Sequence, residues 1–188
     1  MDVVSIPKPM FDVVTPNNNE QEFIATAVSL GYTEIVFLTT NINHIKPLLS
    51  SSNHIRVKSA YLLKDVAELQ RARKNFDYVF AKAERKFFEL KVDYIICVEA
   101  ADRKDSFHFR STGLNQVHAE LSRSNNISMV FDFNALLYSP IIVLGKMSQN
   151  AILIKKYHLD YSTFSLAKDP LLMRSRSILC ALEAVLKL

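Results

Sequence analysis

Glycine is almost absent from this sequence: Gly31, Gly113 and Gly145 are the only three in 188 residues, and they lie far apart. A Walker loop or a GxGxxG turn needs clustered glycines so that backbone N–H groups can approach a phosphate. Nucleotide binding by either route is therefore excluded. Cysteine is as scarce. Cys97 falls in an apolar, strand-like run and Cys180 in a helix-like one. Two are too few for a disulfide framework and suit a reducing compartment. Long apolar runs are missing as well, since the longest, at residues 94–98 and 141–144, fall far short of the ~20 residues that span a bilayer. The opening MDVVSIPKPMFDVV places Asp2 and two prolines where a secretory signal would be apolar, so a cytoplasmic protein with no membrane partner is expected. None of the five histidines, His44, His54, His108, His118 and His158, stands in an HxH, HxxxH or HExxH spacing. No local zinc signature exists, and no metal or cofactor held by the protein itself is expected.

What remains is an ordinary globular composition. Hydrophobic residues make up 49% and charged residues 22%, enough to bury roughly 70% of the unfolded surface and to exclude global disorder. The length suits one domain, residues 1–188. Along it, β-branched or aromatic runs alternate with segments of helical period. Strands are predicted at 11–15, 34–39, 54–61, 76–80, 93–98, 127–133 and 159–163, and helices at 20–30 (stopped by Gly31), 64–74, 83–90, 114–122, 143–157 and 177–186. This is α/β ordering around a parallel sheet. Periodicity does not separate an open doubly wound sheet from a closed barrel. A barrel of this length would have to be trimmed from the usual ~250 residues.

Net charge is +4 and the isoelectric point is near 9.0, which favours polyanionic partners. The placement of the charge says more. The loop after the fourth strand carries Lys82, Arg85 and Lys86, and the loop after the fifth carries Arg103, Lys104, His108 and Arg110. Consecutive strands usually lie side by side, so these loops should merge into one positive rim, with Arg174 and Arg176 after the last strand adding to it. Phe107 and Phe109 alternate with His108 and Arg110; exposed, they could stack on bases, and buried, they are strand residues. The competing reading is a solvated surface, its potential lowered by Glu84, Glu89, Glu99, Asp102 and Asp105. Lys82, Glu99 and Asp132 form a second candidate group at the same strand ends, where α/β barrels place acid–base chemistry. Against it, Asp132 precedes FNALL and suits a helix cap, Glu99 suits pairing with a local arginine, and Lys82 suits solvent. His118 is expected at the surface or half-buried; the Leu136 and Leu137 pair and Ile141, Ile142 and Val143 after Pro140 are apolar enough to pack on a partner but are expected to pack in the core. Glu34, Asp77 and Asp93 mark the opposite rim, where strands begin.

Three segments carry a family resemblance: FDVVTPNNNEQEFIATAVSLGYTEIVFLTT, FHFRSTGLNQVHAELSRSNNISMVFDF and KKYHLDYSTFSLAKDPLLMRSRSILCALEAVL. Together they resemble protein component 3 of archaeal ribonuclease P, whose eukaryotic relative is the thirty-kilodalton subunit, in an opening strand, helix and LGY turn, a central RxxGLN helix, and a closing strand, arginine turn and helix. The resemblance implies a trimmed TIM-like barrel related to metal-dependent phosphoesterases but without their ligands. It implies a subunit of the ribonucleoprotein that removes the 5′ leader of precursor tRNA. There, magnesium-dependent hydrolysis belongs to the RNA, and precursor tRNA is met indirectly. It implies ribonuclease P RNA and a small ferredoxin-like protein as partners, in a two-plus-two assembly. Arg85, Arg110, Asn115 and Arg174 are the RNA contacts that the matching motifs imply. The sequence departs from the family at AKAERKF, where many relatives have a glycine-rich turn, and at YSTFSLAKD, where a serine-glycine-alanine turn is common. An RNA-binding subunit and a small barrel hydrolase or lyase using Lys82, Glu99 and Asp132 are thus the two functions to be distinguished.

Overall fold

The computed structural model describes residues 10–42, 55–96, 99 and 113–188. Seven strands, β1 (Phe11–Val14), β2 (Glu34–Thr39), β3 (Arg56–Leu63), β4 (Tyr78–Lys82), β5 (Tyr94–Ile96), β6 (Ser128–Asp132) and β7 (Tyr161–Phe164), form one sheet in sequence order. Every neighbouring pair is parallel, with registers such as Phe11↔Glu34, Phe80↔Tyr94 and Asp132↔Phe164. The sheet curls until its two edges meet. Val14 bridges Ala167, and Thr15 N–H donates to the Ala167 carbonyl at 2.8 Å. The protein is a nearly closed, TIM-like α/β barrel.

Alternation along the strands builds two cores. Inward residues Val13, Val36, Leu38, Ala60, Phe80, Ile96, Val130 and Phe164 fill the barrel. Aromatic rings plug its lower end: Phe11 stacks on Phe164 at 5.2 Å and on Tyr78 at 5.7 Å, and Phe80 stacks on Tyr94 at 4.7 Å. Outward residues such as Tyr61, Val79, Ile95, Met129 and Phe131 pack under the helices. These are α1 (Glu20–Ser29), α2 (Leu69–Asn75), α3 (Arg85–Phe88), α4 (Gln116–Ser124), α5 (Phe133–Tyr138), α6 (Pro140–Tyr157) and α7 (Arg176–Val185).

All seven predicted strands are present, displaced by at most two residues at their starts. α1 stops where Gly31 adopts φ +80°, a left-handed conformation that glycine takes without steric cost. The predicted helix at 64–74 divides: Asp65 and Glu68 form a capping box around a 3-10 turn, Val66–Glu68, before α2 begins. The predicted helix at 83–90 is a single turn. α5 is an element absent from the predicted set, and Pro140 starts α6 three residues earlier than predicted because its fixed φ suits a first helical turn. His118 corrects its expectation: it is buried, its ring stacked on Phe88 at 4.3 Å and its Nδ1 2.9 Å from the Gly113 carbonyl oxygen. Leu137, Ile141 and Ile142 correct theirs in the other direction, for they are exposed, while Leu136 and Val143 pack partly buried against the core.

The barrel seam is held by a buried polar clasp. Asp12 accepts from Ser165 Oγ at 2.6 Å and from the Ser165 amide at 2.8 Å. Burial pushes its carboxyl up to about 6, against the opposing pull of these bonds and of Arg176. At the lower rim the acids noted in the sequence have structural work. Asp77 accepts from the Ser59 amide and hydroxyl at 2.8 and 2.9 Å, Asp93 accepts from the Val79 amide at 2.7 Å, and Glu34 pairs with Lys58 at 3.1 Å.

Candidate nucleic-acid interface

The upper rim, where the strands end, gathers the cations. Lys82 is the last residue of β4 and shares the inward face of Phe80, so its exposed ammonium leaves at the mouth of the barrel. β4 is followed at once by α3, whose first two residues are Arg85 and Lys86. Both are exposed and carry light ion pairs: Arg85 Nε to Glu89 at 3.3 Å, and Lys86 Nζ to Glu84 at 3.0 Å while standing 4.7 Å from the Phe87 ring centroid. Such surface pairs are worth at most about 1 kcal/mol, so phosphate can displace the carboxylates. Of the acids that temper the potential, Glu84 and Glu89 are thus seated beside the cations, Glu99 is buried and unpaired among the described residues, and Asp102 and Asp105 lie outside them.

Three further candidates serve the fold. Asn115 caps α4, its Oδ1 accepting from the His118 amide at 2.8 Å. Arg174 donates through Nη1 to the Leu171 and Met173 carbonyls at 3.0 and 2.8 Å and lies 6.0 Å from the Phe133 ring centroid. Arg176, its side chain 17% exposed, pairs with buried Glu183 at 3.2 Å and reaches the Thr163 carbonyl at 3.4 Å. Its guanidinium belongs to the seam. His108 and Arg110, with Arg103, Lys104, Phe107 and Phe109, lie outside the described residues, as do Cys97, His44 and His54. The rim has one more cation that the sequence reading passed over: Lys168, exposed just after the Ala167 bridge and close enough to stabilise the Asp132 carboxylate. Its signal was positional, a lysine in the loop following the last strand.

Among the described residues no hydrogen bond joins Glu99 or Asp132 to the other members of the candidate group Lys82, Glu99 and Asp132. Asp132 faces inward with Val130 and ends β6. Its Oδ1 accepts from the Ala135 amide at 3.1 Å, the helix cap anticipated from FNALL. Burial pushes this carboxyl up to about 6. Glu99 lies in the outer layer, lining a small gap with Leu114, Met129, Phe131, Asn150 and Ile154. Among the described residues no arginine meets it, and the local Arg103 and Arg110 lie outside them. Neither oxygen has a hydrogen-bond partner among the described residues, and burial, with the Asp132 carboxylate adding to it, pushes the carboxyl up to about 8. Glu99 thus sits among side chains of the outer layer while Lys82 and Asp132 share the mouth, with the Asp132 carboxylate near enough to act on Glu99 electrostatically. Among the described residues no cluster of three or more His, Cys, Asp or Glu side chains suits a metal, and no helix is long and apolar enough to cross a membrane.

A trimmed TIM-like barrel with cations at the carboxyl ends of its strands is the class that fold and rim define. The fold is similar to that of a chain in the cryo-EM structure of archaeal ribonuclease P with mature tRNA, with a TM-score of 0.74 and 19% identity over 94% of this chain and 82% of that one. At that identity the likeness establishes the fold. A dihydropteroate synthase of Yersinia pestis also aligns, at 12% identity over 97% of this chain and 94% of that one, but its TM-score of 0.44 is too low to argue from. No protein-family model matches the sequence, and no curated protein matches it.

Proposed function

We propose that this chain is a non-catalytic protein subunit of a ribonuclease P, binding the catalytic RNA through the upper rim of its barrel. The observation that carries the proposal is the set of exposed cations, Lys82, Arg85, Lys86 and Lys168, in the segments that follow the strand ends of a barrel that shares its fold with a chain of an archaeal ribonuclease P structure. Cations on one rim replace diffuse counterions and hold a folded RNA in its active shape. In this reading Arg110 and His108 extend the RNA surface, while Asn115, Arg174 and Arg176 act by shaping the loops that border it. Hydrolysis belongs to the RNA with Mg2+, the protein holds no cofactor, precursor tRNA is met indirectly, and the partners are the RNA and a small ferredoxin-like subunit in a two-plus-two assembly. The compartment is the cytoplasm.

A barrel hydrolase or lyase is the competing reading, and Lys82 and Asp132 at one mouth favour it. The burial of Glu99 among outer-layer side chains, without a hydrogen bond to either, counts against it. Reconstitution distinguishes them: precursor tRNA is incubated at limiting magnesium with protein alone, RNA alone, or both with the small subunit. The expected result is no cleavage by protein alone and enhanced 5′ cleavage by the assembly. Correct cleavage by RNA-free protein, lost in Asp132→Asn, would overturn the subunit reading.

A further inference from the structure

The lower rim has cations of its own. Because every strand pair is parallel, the helices run back along the outside of the barrel and end there. The segments that lead into β4, β5, β6 and β7 each bring exposed basic residues: Lys74 in the last turn of α2, Lys91 between α3 and β5, Arg123 in the last turn of α4, and Lys155 and Lys156 in the last turn of α6. These four strands are neighbours and start nearly level, with Phe80 opposite Tyr94, Tyr94 opposite Ser128, and Met129 opposite Tyr161. α3 packs on α4 and α4 on α6. The cations therefore follow one another around that side of the barrel, and at about 8–10 Å between packed helices the arc is roughly 25–30 Å long. Among the described residues none of the five is paired with a carboxylate, whereas Arg85 and Lys86 on the upper rim both are.

We propose that this arc is a second polyanion surface and that its partner is double-helical RNA, held by its phosphates. The acids of the rim leave the charge positive. Glu34, Asp93 and Glu89 have cations of their own in Lys58, Arg73 and Arg85. Asp77, Glu120 and Asp160 oppose the five, and Asp77 and Glu120 are held in side-chain bonds to Ser59 and Gln116. Helix ends attract cations through the backbone dipole, which accounts for a part of the pattern. It does not account for Lys91, which follows a single helical turn with little dipole. Exposed rings decide between one strand and two. The one exposed aromatic side chain among the described residues, Tyr138, precedes α6 at its other end, and half-buried Tyr157 has the Lys156 ammonium 5.4 Å from its ring centroid. Without rings for bases to stack on, a single strand has little to hold it. A duplex presents phosphates and hydroxyls on a rigid surface and is taken by shape and charge. Cations fixed on helix ends at intervals of about 10 Å suit that surface. That the duplex is RNA rests on the ribonuclease P reading; that it is a duplex polyanion does not.

Filter binding of the full chain to an RNA duplex of about 20 base pairs and arbitrary sequence, across a salt series, tests this. Lys74→Gln, Lys91→Gln, Arg123→Gln and Lys156→Gln combined should lower affinity about tenfold or more and flatten the slope of log affinity against log salt by roughly 3. Each substitution alone should flatten it by roughly 0.7 to 0.9, which keeps the test decisive should the fourfold variant fold poorly. Lys64→Gln makes the same change of charge just past the end of β3, on the other rim, and should leave the slope unchanged. One strand of the duplex by itself should bind more weakly. Wild-type slopes in all four single variants, an equal effect of Lys64→Gln, or tighter binding of the single strand or of a DNA duplex would each overturn the proposal. So would displacement of the duplex by poly-glutamate, charge for charge, which would assign the arc to an acidic protein. No component of ribonuclease P enters this experiment, so its failure leaves the upper-rim reading to its own reconstitution.

Discussion

At the scale of single residues, the carboxyl groups decide how stability depends on pH. Glu99, Asp12 and Asp132 all have their pKa raised chiefly by burial, to about 8, about 6 and about 6. A carboxyl that holds its proton more tightly when folded than when unfolded stabilises the fold below its unfolded pKa, and this contribution is lost as pH rises through the folded value. Stability should therefore fall between roughly pH 4.5 and 8, with Glu99 dominating the upper part. Glu99→Gln keeps the shape and removes the ionisation. In urea titrations it should match the wild type at the acid end and exceed it at pH 8 by a few kcal/mol, as order-of-magnitude linkage gives. Parallel curves for the two proteins would show that Glu99 titrates normally.

Among the elements, α5 depends on one side chain. Asp132 ends a strand and starts a helix in the same residue, its Oδ1 taking the Ala135 amide. Asp132→Ala should cost about 1 kcal/mol and Asp132→Asn much less, since asparagine caps as well as aspartate. Chemical denaturation of both variants checks this, and equal losses would assign the cost to charge instead. That cap was readable in the sequence, as were the seven strands, because strands covered on both faces are written as short apolar runs between helical periods. The helix behind the cap was harder to see: FNALLY is six residues, and its run into Pro140 resembles one longer apolar stretch. His118 was misjudged because its helix has a polar composition, whereas the stacking on Phe88 that buries it comes from a residue 30 positions earlier. Arg174 and Arg176 look alike as neighbours of an arginine turn. Only the fold shows one bound to loop carbonyls and the other drawn into the seam by Glu183.

For the whole molecule, the division of labour between the two ends of the barrel has a measurable consequence. Acids staple the strand starts and cations stand at the strand ends, so an anionic polymer should be held by the upper rim, and salt should weaken it steeply. Removing one phosphate contact from a single-stranded or a helical region flattens the slope of log affinity against log salt by roughly 0.7 to 0.9. Lys82→Ala combined with Arg85→Ala should flatten it by about twice that amount, and filter binding across a salt series reads it out; an unchanged slope would move the RNA elsewhere. The seam between β1 and β7 bears on a different property, the order of events in folding. Each strand pairs with the one before it in the chain, so the sheet can grow in the order in which it is synthesised, but Asp12 and Ser165 are 153 positions apart and cannot meet until nearly all of the chain exists. The clasp is then the last contact made and the first released. Asp12→Ala should accelerate unfolding while leaving the refolding rate nearly unchanged, so that stopped-flow chevrons differ in one limb alone.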